Sequence, residues 1–544
     1  MKDGSIVRCG TLLDPGFVAF CLNSDYVDIM LKQLSEIIIR YSCSGLWLDG
    51  GWSTPCYCQK CISDMSGRGI DPRDDIAARA FAEERYMDYT RRIHEVINRI
   101  NPSLEVFINT GHTRKDNRQA MSVSSHIDIE SLPTASWGYD HFRIAARYVP
   151  QLGLESTLMT ARFNFGWGEF GGYKHRNALI YETSCALAFG AKCCIGDQMH
   201  PLGELDALTY DLIGAAYSEV EKKELWCDDA TPVTDIGVLS QEAVQGEAIQ
   251  SFVDSGTVRI LQECHYLFDF VDTKSDFTKH KVIVLPDEIL VDDTLLARLK
   301  AYTQGGGKVL ITGNSAIRGA MLQFDVGANY MGEGQYLPCY FRPDFTINEF
   351  LPASFVLYHH ANEIKLASGG TSLGAIQNSY FNRDLLHFCS HLHAPSTLTD
   401  AYPGITMGSE GAYIGWKVFL DYYEKASLIN KYAVREVLDR LLGDKKALSI
   451  GLPAQGITTV MHQKKQHRYI HHLIYASPVR KNEIEVIEDI VAVYGVNVEL
   501  KLQCVPKRVY LAPKSIDLQY TCEGGVLRYT VPEINCHQMV VVDY

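Results

Sequence analysis

Two acidic residues of this 544-residue chain stand directly after apolar, strand-like runs. Asp49 ends the run 44–49, and Glu130 ends the run 126–130. A carboxylate at the end of a buried strand lies where a substrate can reach it. Two carboxyl groups about 5–5.5 Å apart can cleave a glycosidic bond with retention of configuration, one as nucleophile and one as acid and then base. The pattern therefore predicts a sugar-cleaving pair.

Asp49 is the stronger candidate because of its neighbours. Trp47 and Trp52 flank it, and Gly50 and Gly51 follow it and open the backbone. An aromatic ring stacks on the apolar face of a pyranose while a carboxylate meets the anomeric carbon. The alternative is that Asp49 only caps the loop or helix that follows, as many aspartates do.

Glu130 precedes a loop, residues 131–142, that is rich in side chains able to bind sugars, including Trp137 and His141. We predict Glu130 as the acid/base. Binding a substrate hydroxyl or orienting another residue remains an equal alternative. Asp197 and Glu182 are rivals for the acid role, with Asp197 better placed at a strand end. The predicted substrate-binding residues are Trp47, Trp52, Asn109, His112, Trp137, His141, Arg162, Trp167, Asp197 and His200.

The segment 56–61 contains three closely spaced cysteines, Cys56, Cys58 and Cys61. Three thiolates could share a zinc ion, which normally has four ligands, and any such ion would be structural. The fourth ligand is not evident; Cys43 or a residue from sequence upstream of the chain are the candidates. No cofactor is otherwise required, and no metal is predicted at the catalytic residues.

The elements that position these residues repeat along residues 35–200. Strand-like runs at 44–49, 104–109, 126–130, 156–160 and 191–197 alternate with helical stretches. This order is typical of a (β/α)₈ barrel, in which reactive groups lie at the C-terminal ends of the strands. A closed barrel has eight strands, so we expect the barrel to lack about three strands at its beginning.

Two further domains are expected. Strands at 236–239 and 281–286, a helix at 295–304 and a glycine-rich helix end before the strand 308–312 indicate a doubly wound α/β domain. Short alternating strands at 498–502, 508–511 and 526–531 indicate an antiparallel β-sandwich. The predicted domains are 1–230, 231–448 and 449–544.

Composition limits the partners. The formal charge of −14 argues against a general nucleic-acid binder, because such proteins cluster Lys and Arg. No apolar run is long enough to predict a membrane span. Sixteen cysteines, mostly in apolar segments, favour a reducing compartment, and we expect the cytoplasm.

These segments resemble glycoside hydrolase family 151, α-L-fucosidases related to family 29. The resemblance covers nearly the whole chain and is carried by residues 45–52, 130–142 and 196–201. In family 29 a Trp-x-Asp strand end provides the nucleophile, which by similarity is Asp49. The middle region is similar to the β-galactosidase trimerisation domain, a glutamine-amidotransferase-like fold, which implies a homo-oligomer.

The resemblance implies hydrolysis of terminal α-L-fucosides in an oligosaccharide or glycoconjugate. Two alternatives stay open. The cysteine cluster is similar to the zinc site of family 42 β-galactosidases, so a β-galactosidase or another exo-glycosidase is one. A non-catalytic carbohydrate-binding protein with a decayed barrel is the other.

Overall fold

The computed structural model of the chain describes residues 1–8, 18–50, 53–135, 137–246, 250–347, 350–482 and 484–544. The chain divides into two compact units, residues 1–128 and 129–544. Within the described residues, no helix is long and apolar enough to cross a membrane.

The first unit packs helices against two parallel strands. Its elements are α1 (Tyr26–Arg40), β1 (Gly45–Leu48), α2 (Gln59–Gly67), α3 (Asp75–Ile100), β2 (Glu105–Ile108) and α4 (Arg118–Met121). Val27, Leu31 and Leu34 recur at helical spacing on α1 and pack with α3 and with one face of β1 and β2. The other face carries Trp47 and Phe107, whose rings are 6.0 Å apart between centroids.

The second unit begins with three strands and their helices. Its first elements are β3 (His126–Glu130, which begins in the first unit), α5 (Gly138–Tyr148), β4 (Glu155–Ala161), α6 (Arg176–Ala188), β5 (Lys192–Gly196) and α7 (Ala207–Glu221). They form a sheet in the order β3-β4-β5, with β4 and β5 parallel. All five strands predicted for the barrel region are confirmed.

A seven-stranded sheet forms the core of the middle region, in the order β17-β20-β21-β10-β9-β7-β8. Its parallel strands alternate with helices, as the sequence predicts, and the glycine-rich turn ends a helix and leads into β10. The strands up to the last parallel one are β6 (Thr231–Pro232), β7 (Ile236–Leu239), β8 (Phe268–Val271), β9 (Val282–Leu285), β10 (Lys308–Thr312), β11 (Ile317–Arg318), β12 (Met321–Leu322), β13 (Ala328–Glu333), β14 (Cys339–Pro343), β15 (Phe355–Leu357), β16 (Asn362–Leu366), β17 (Thr371–Ser372), β18 (Gly374–Ser379), β19 (Ser396–Pro403), β20 (Ile405–Met407) and β21 (Gly411–Ile414). The helices are α8 (Gln241–Gln245), α9 (Phe252–Glu263), α10 (Asp293–Gln304), α11 (Val418–Lys425) and α12 (Leu428–Leu442).

Residues 317–407 add antiparallel strands that the sequence did not reveal. A four-stranded sheet runs in the order β15-β14-β18-β19, which leaves β19 as an edge strand with four exposed residues. The connection between β18 and β19 spans residues 380–395 and has no regular structure.

The C-terminal region is a sandwich of two antiparallel sheets. Its strands are β22 (Leu448–Ile450), β23 (Ile457–Gln463), β24 (Arg468–Ile474), β25 (Val479–Lys481), β26 (Ile484–Val486), β27 (Val493–Lys501), β28 (Arg508–Ala512), β29 (Ile516–Asp517), β30 (Tyr520–Glu523), β31 (Val526–Ile534) and β32 (His537–Asp543). One sheet is β22-β27-β31-β30, and the other is β29-β28-β32-β24-β23-β6. His471 and His472 are fully buried in β24.

Candidate active site

Asp49 lies at the C-terminal end of β1 in the first unit, and its side chain is exposed. The Asn109 amide, at the end of β2, donates a hydrogen bond from Nδ2 to Asp49 Oδ1 (3.1 Å). Asn109 is itself fixed, because its Oδ1 accepts the backbone N–H of Gly111 (2.8 Å) and its side chain is buried. Asn109 therefore orients the carboxylate, a role that the prediction of substrate binding did not include.

Trp47 is one pleat below Asp49 on the same strand face and is 44% exposed. Its indole Nε1 donates to Asp128 Oδ2 (3.0 Å), and Asp128 Oδ1 lies 3.5 Å from His126 Nε2. The indole N–H is thus occupied by protein, and the ring face is what remains for a ligand. Trp52, predicted as the second flanking ring, lies outside the described residues.

His112 follows β2 in the same unit and is half-buried. Its backbone carbonyl accepts a hydrogen bond from the Thr110 hydroxyl (2.7 Å), which closes the turn after Asn109. The turn fixes the backbone conformation of the residues that follow Asn109.

Glu130, half-buried, ends β3 in the second unit. The backbone N–H of the next residue, Ser131, bonds to the Met159 carbonyl (2.9 Å), which ties this strand end to β4. Trp137 packs against a cluster that contains Leu132, Ala161 and Phe163. The Trp137 ring lies edge-on to the buried His141 at 4.4 Å between centroids.

The loops after β4 and β5 form an open cleft of about 500 Å³. Asp197 Oδ1 accepts from Arg162 Nε (2.8 Å) and from the Gln198 backbone N–H (2.7 Å). Arg162 is buried and also donates from Nη1 to the carbonyls of Glu169 and Gly172. Arg162 therefore closes the β4 loop and orients Asp197, and it is also one of the residues that line the cleft.

Aromatic rings line the rim of this cleft and its loops. Trp167 lies over Gly196, where an added Cβ would be 2.4 Å from the ring. Phe170 meets the exposed His200 edge-on at 5.8 Å, and the Tyr173 hydroxyl donates to Asp206 (3.0 Å). Exposed rings beside carboxylates are the surface that binds sugars.

A buried ion pair that the sequence did not reveal lies beneath the β4 loop. Lys174 Nζ is 2.7 Å from Glu182 Oε2, and the two side chains are 0% and 2% exposed. Glu182 also accepts from the hydroxyls of Thr160 (2.5 Å) and Tyr139 (3.2 Å). Burial lowers the pKa of Lys174 and raises that of Tyr139. Glu182 is thus part of a buried polar network.

Four cysteine sulfurs cluster in the first unit, those of Cys21, Cys56, Cys58 and Cys61, all within 4.8 Å of one another. Cys21, which precedes α1, supplies the fourth sulfur, so the prediction that it would be Cys43 or come from upstream sequence is wrong. Cys43 instead packs in the apolar cluster of α1 and α3.

The cluster suits a metal ion. The Cys21 sulfur is 3.7 Å from Cys58 and 3.4 Å from Cys61, near the roughly 3.8 Å edge of a tetrahedron with 2.3 Å zinc–sulfur bonds. Hydrogen bonding to Cys21 lowers the pKa of Cys56 and raises that of Cys61. The crowded thiols thus resist becoming thiolates together unless a cation joins them.

Several solved structures are similar to this chain. A solved α-L-fucosidase, isoenzyme 2 from Paenibacillus thiaminolyticus, is 44% identical over 98% of this chain and 82% of that chain, with a TM-score of 0.95. The β-galactosidase from Bacillus circulans sp. alkalophilus shares the fold at 12% identity, covering 98% of this chain and 84% of that chain, with a TM-score of 0.69. A β-galactosidase from the haloarchaeon Halorubrum lacusprofundi shares it at 14% identity over 97% and 85%, with a TM-score of 0.64.

The family model of the β-galactosidase trimerisation domain matches residues 259–323. No curated protein sequence matches the chain.

Proposed function

Because the chain belongs to glycoside hydrolase family 151 and is 44% identical to that α-L-fucosidase, we propose that it hydrolyses terminal α-L-fucosides with retention of configuration. The observation that carries the proposal is the exposed Asp49 carboxylate at the end of β1, held by Asn109 beside the ring of Trp47. Such a carboxylate can attack the anomeric carbon of a sugar that rests on the ring.

The proposed reaction has two displacements. In the first, an Asp49 oxygen bonds to the anomeric carbon, the glycosidic bond breaks, and Glu130 gives its proton to the departing oxygen. In the second, Glu130 takes a proton from water, whose oxygen bonds to the anomeric carbon and releases Asp49. Asn109 supports the first step because its amide sets the direction of the attacking oxygen.

The cleft of the second unit, beside Asp197 and His200, is a proposed binding region for carbohydrate. Its side chains offer carboxylates and rings, and the described cation beside them, Arg162, is engaged by Asp197 and two backbone carbonyls. Hydroxyl-rich, neutral sugars fit such a surface.

The test is turnover of an aryl α-L-fucoside by Asp49→Ala and by Asp71→Ala, a matched change of an exposed aspartate in the same unit. We expect a loss of roughly 10³-fold or more for Asp49→Ala alone, with azide restoring turnover as an inverted product. A 2-fluoro-fucosyl trap should add its mass to the peptide that contains Asp49. Unchanged turnover in Asp49→Ala refutes the assignment.

A panel of aryl glycosides separates the alternatives. The low-identity β-galactosidase neighbours share the fold, so an aryl β-D-galactoside is the main competitor substrate. Faster turnover of the galactoside than of the fucoside would replace the proposal. Sugar binding without release of the aryl group would favour a carbohydrate-binding protein.

We propose further that Cys21, Cys56, Cys58 and Cys61 hold a structural zinc ion. The N-terminal end of α2, which Cys58 caps, favours thiolate charge, and the Asn23 backbone N–H bonds to Cys21 Sγ (3.4 Å). Metal analysis should find one zinc per chain, and Cys61→Ser should lower both the zinc content and the thermal midpoint. Cys185→Ser, a buried thiol outside the cluster, is the control. A zinc-free wild-type protein made in zinc-rich medium would refute the site.

We also propose that the chain forms a homo-oligomer and works in a reducing compartment such as the cytoplasm. The match of residues 259–323 to a trimerisation domain supports the first. The second is supported by the cluster of four cysteines, because its sulfurs must stay reduced to bind metal.

A further inference from the structure

The exposed ring of Trp47 belongs to a closed cycle of four side chains in the first unit. Its indole Nε1 donates to Asp128 Oδ2 (3.0 Å), and its ring centroid lies 6.0 Å from that of Phe107. The Phe107 ring lies 5.6 Å from the ring of His126, whose Nε2 is 3.5 Å from Asp128 Oδ1. Each side chain therefore contacts two others of the cycle, and together they fix the plane of the indole.

Backbone pairing explains why these four side chains meet. Trp47 and Phe107 face each other as register partners of the parallel strands β1 and β2. The segment that precedes β3 is attached to β2, because the Ser125 N–H donates to the Val106 carbonyl (2.7 Å) and the Val106 N–H donates to Ser125 Oγ (2.9 Å). The two members of the cycle on β3 are two residues apart, so their side chains leave the strand on one face.

Only one member of the cycle is largely exposed. Trp47 is 44% exposed, whereas Phe107 is 4% exposed. The side chains of Asp128 and His126 are 10% and 30% exposed. Each carboxylate oxygen of Asp128 faces a partner inside the protein, so this carboxylate is placed to hold the indole and not to attack a substrate.

An indole held in this way is a better sugar platform than a free one. A hydrogen bond to a carboxylate is roughly twice as strong as one between neutral groups, which opposes a change of rotamer at an exposed ring. A side chain that is ordered only on binding weakens the complex, because its lost rotamers oppose association. The cycle orders Trp47 before a sugar arrives, and Asp49 follows it by two residues in the chain.

We propose that Asp128, supported by His126, is a positioning residue that fixes Trp47 as the platform on which the sugar rests during attack by Asp49. This inference rests on the proposed function and adds the residue that sets the ring. The ring contacts the sugar and not the bond that breaks, so it should stabilise the bound substrate and the transition state alike. Loss of its support should therefore raise KM more than it lowers kcat.

The experiment measures kcat and KM on an aryl α-L-fucoside and the Kd of L-fucose by calorimetry. Asp128→Leu has a side chain of similar size that cannot accept the indole N–H. It should raise KM and Kd about 10-fold or more, with kcat within about 3-fold of the wild type. Asp128→Asn keeps an oxygen that can accept the N–H and should recover most of this loss.

Two further variants separate positioning from a general loss of stability. Asp74→Leu removes the cap of α3 in the same unit, an interaction that involves none of the four side chains, and should lower the thermal midpoint without changing Kd. Trp47→Phe has no indole N–H, so adding Asp128→Leu to it should raise KM and Kd little further. If Asp128→Leu melts early, Asp128→Ser takes its place, because its hydroxyl ends one atom short of the Oδ2 position.

Wild-type KM and Kd in Asp128→Leu overturn the proposal, as do equal losses in Asp128→Leu and Asp128→Asn. A full further loss on top of Trp47→Phe also overturns it, because Asp128 would then act by another route. A fall in kcat with unchanged KM assigns Asp128 to the chemical step instead.

The wild type separates this inference from the proposed function. If it cleaves an aryl β-D-galactoside and no fucoside, the fucosidase proposal fails alone, and the same variants test the platform on the galactoside. If it binds neither sugar, both proposals are overturned.

Discussion

Replacing Lys174 by Met should destabilise the second unit more than any surface change. Lys174 is the cationic partner of Glu182 at 2.7 Å, and both side chains are excluded from solvent. Met fills the volume of the lysine stem but brings no charge. The variant therefore leaves a buried carboxylate that keeps two hydroxyl donors, from Thr160 and Tyr139, and loses its ion partner.

The magnitude follows from the geometry. Removing one partner of a buried ion pair costs about 3–5 kcal/mol, because the remaining charge is uncompensated. Replacing both partners removes that charge, so Lys174→Met/Glu182→Gln should cost only about 1–2 kcal/mol, the value of the altered hydrogen bonds. The double variant should be more stable than the single variant, which is the distinctive result.

Calorimetry of the wild type and three variants, Lys174→Met, Glu182→Gln and the pair, measures this. For a domain of 150–250 residues the single change should lower the thermal midpoint by roughly 6–20 °C. Lys192→Met, which removes an exposed partner of Asp228, should change it little. A single variant within about 1 kcal/mol of the wild type, or a pair less stable than Lys174→Met, would refute the account of the network.

Two further predictions concern the middle region and the cleft. Burial raises the pKa of Asp287 to about 7, above its unfolded value of 3.8. Between these pH values the folded protein binds a proton that the unfolded chain does not. The free energy of unfolding should therefore fall as pH rises from 4 to 7, by about 4 kcal/mol at most. Asp287→Asn cannot ionise, so urea unfolding at pH 5 and pH 7.5 should differ less for it than for the wild type; an equal pH slope contradicts this. Gly196→Ala should displace Trp167, whose ring would lie 2.4 Å from the new methyl group, and shift its fluorescence, whereas Gly214→Ala meets nothing within 4 Å and should not.

The strands of the candidate site were predictable because each buried run is followed by a polar residue. β1 to β5 all lie where the apolar runs placed them, and Asp49 and Glu130 stand at strand ends as expected. Buried parallel strands are nearly continuous apolar runs, so the sequence marks them clearly. The role of Asp49 and Glu130 in catalysis stays a prediction.

The contacts of the site were not predictable, since they join residues far apart in sequence. Cys21 is separated from Cys56 by α1 and β1, and no spacing rule connects them. Arg162 lines the cleft, but its contact with Asp197, 35 residues away, could not be read from the sequence. Lys174 sits in a polar, glycine-rich stretch, and its full burial depends on how that loop folds back.

The middle region was predictable only in part for the same reason. Its parallel core follows the apolar runs, but β11 to β20 are short strands, and their pairing depends on neighbours up to 39 residues away. Such strands carry a weak pattern, because packing against other strands decides them.

Strand β6 attaches the beginning of the middle region to the C-terminal sandwich. Thr231 and Pro232 pair with His462 and Met461 in one sandwich sheet, and Leu448–Ile450, where the chain returns, enters the other. Both ends of the middle region are therefore attached to the same C-terminal sandwich, one to each of its sheets. A change within the middle region can therefore leave both of its attachment points on the sandwich in place, because each is a strand pairing of the sandwich itself.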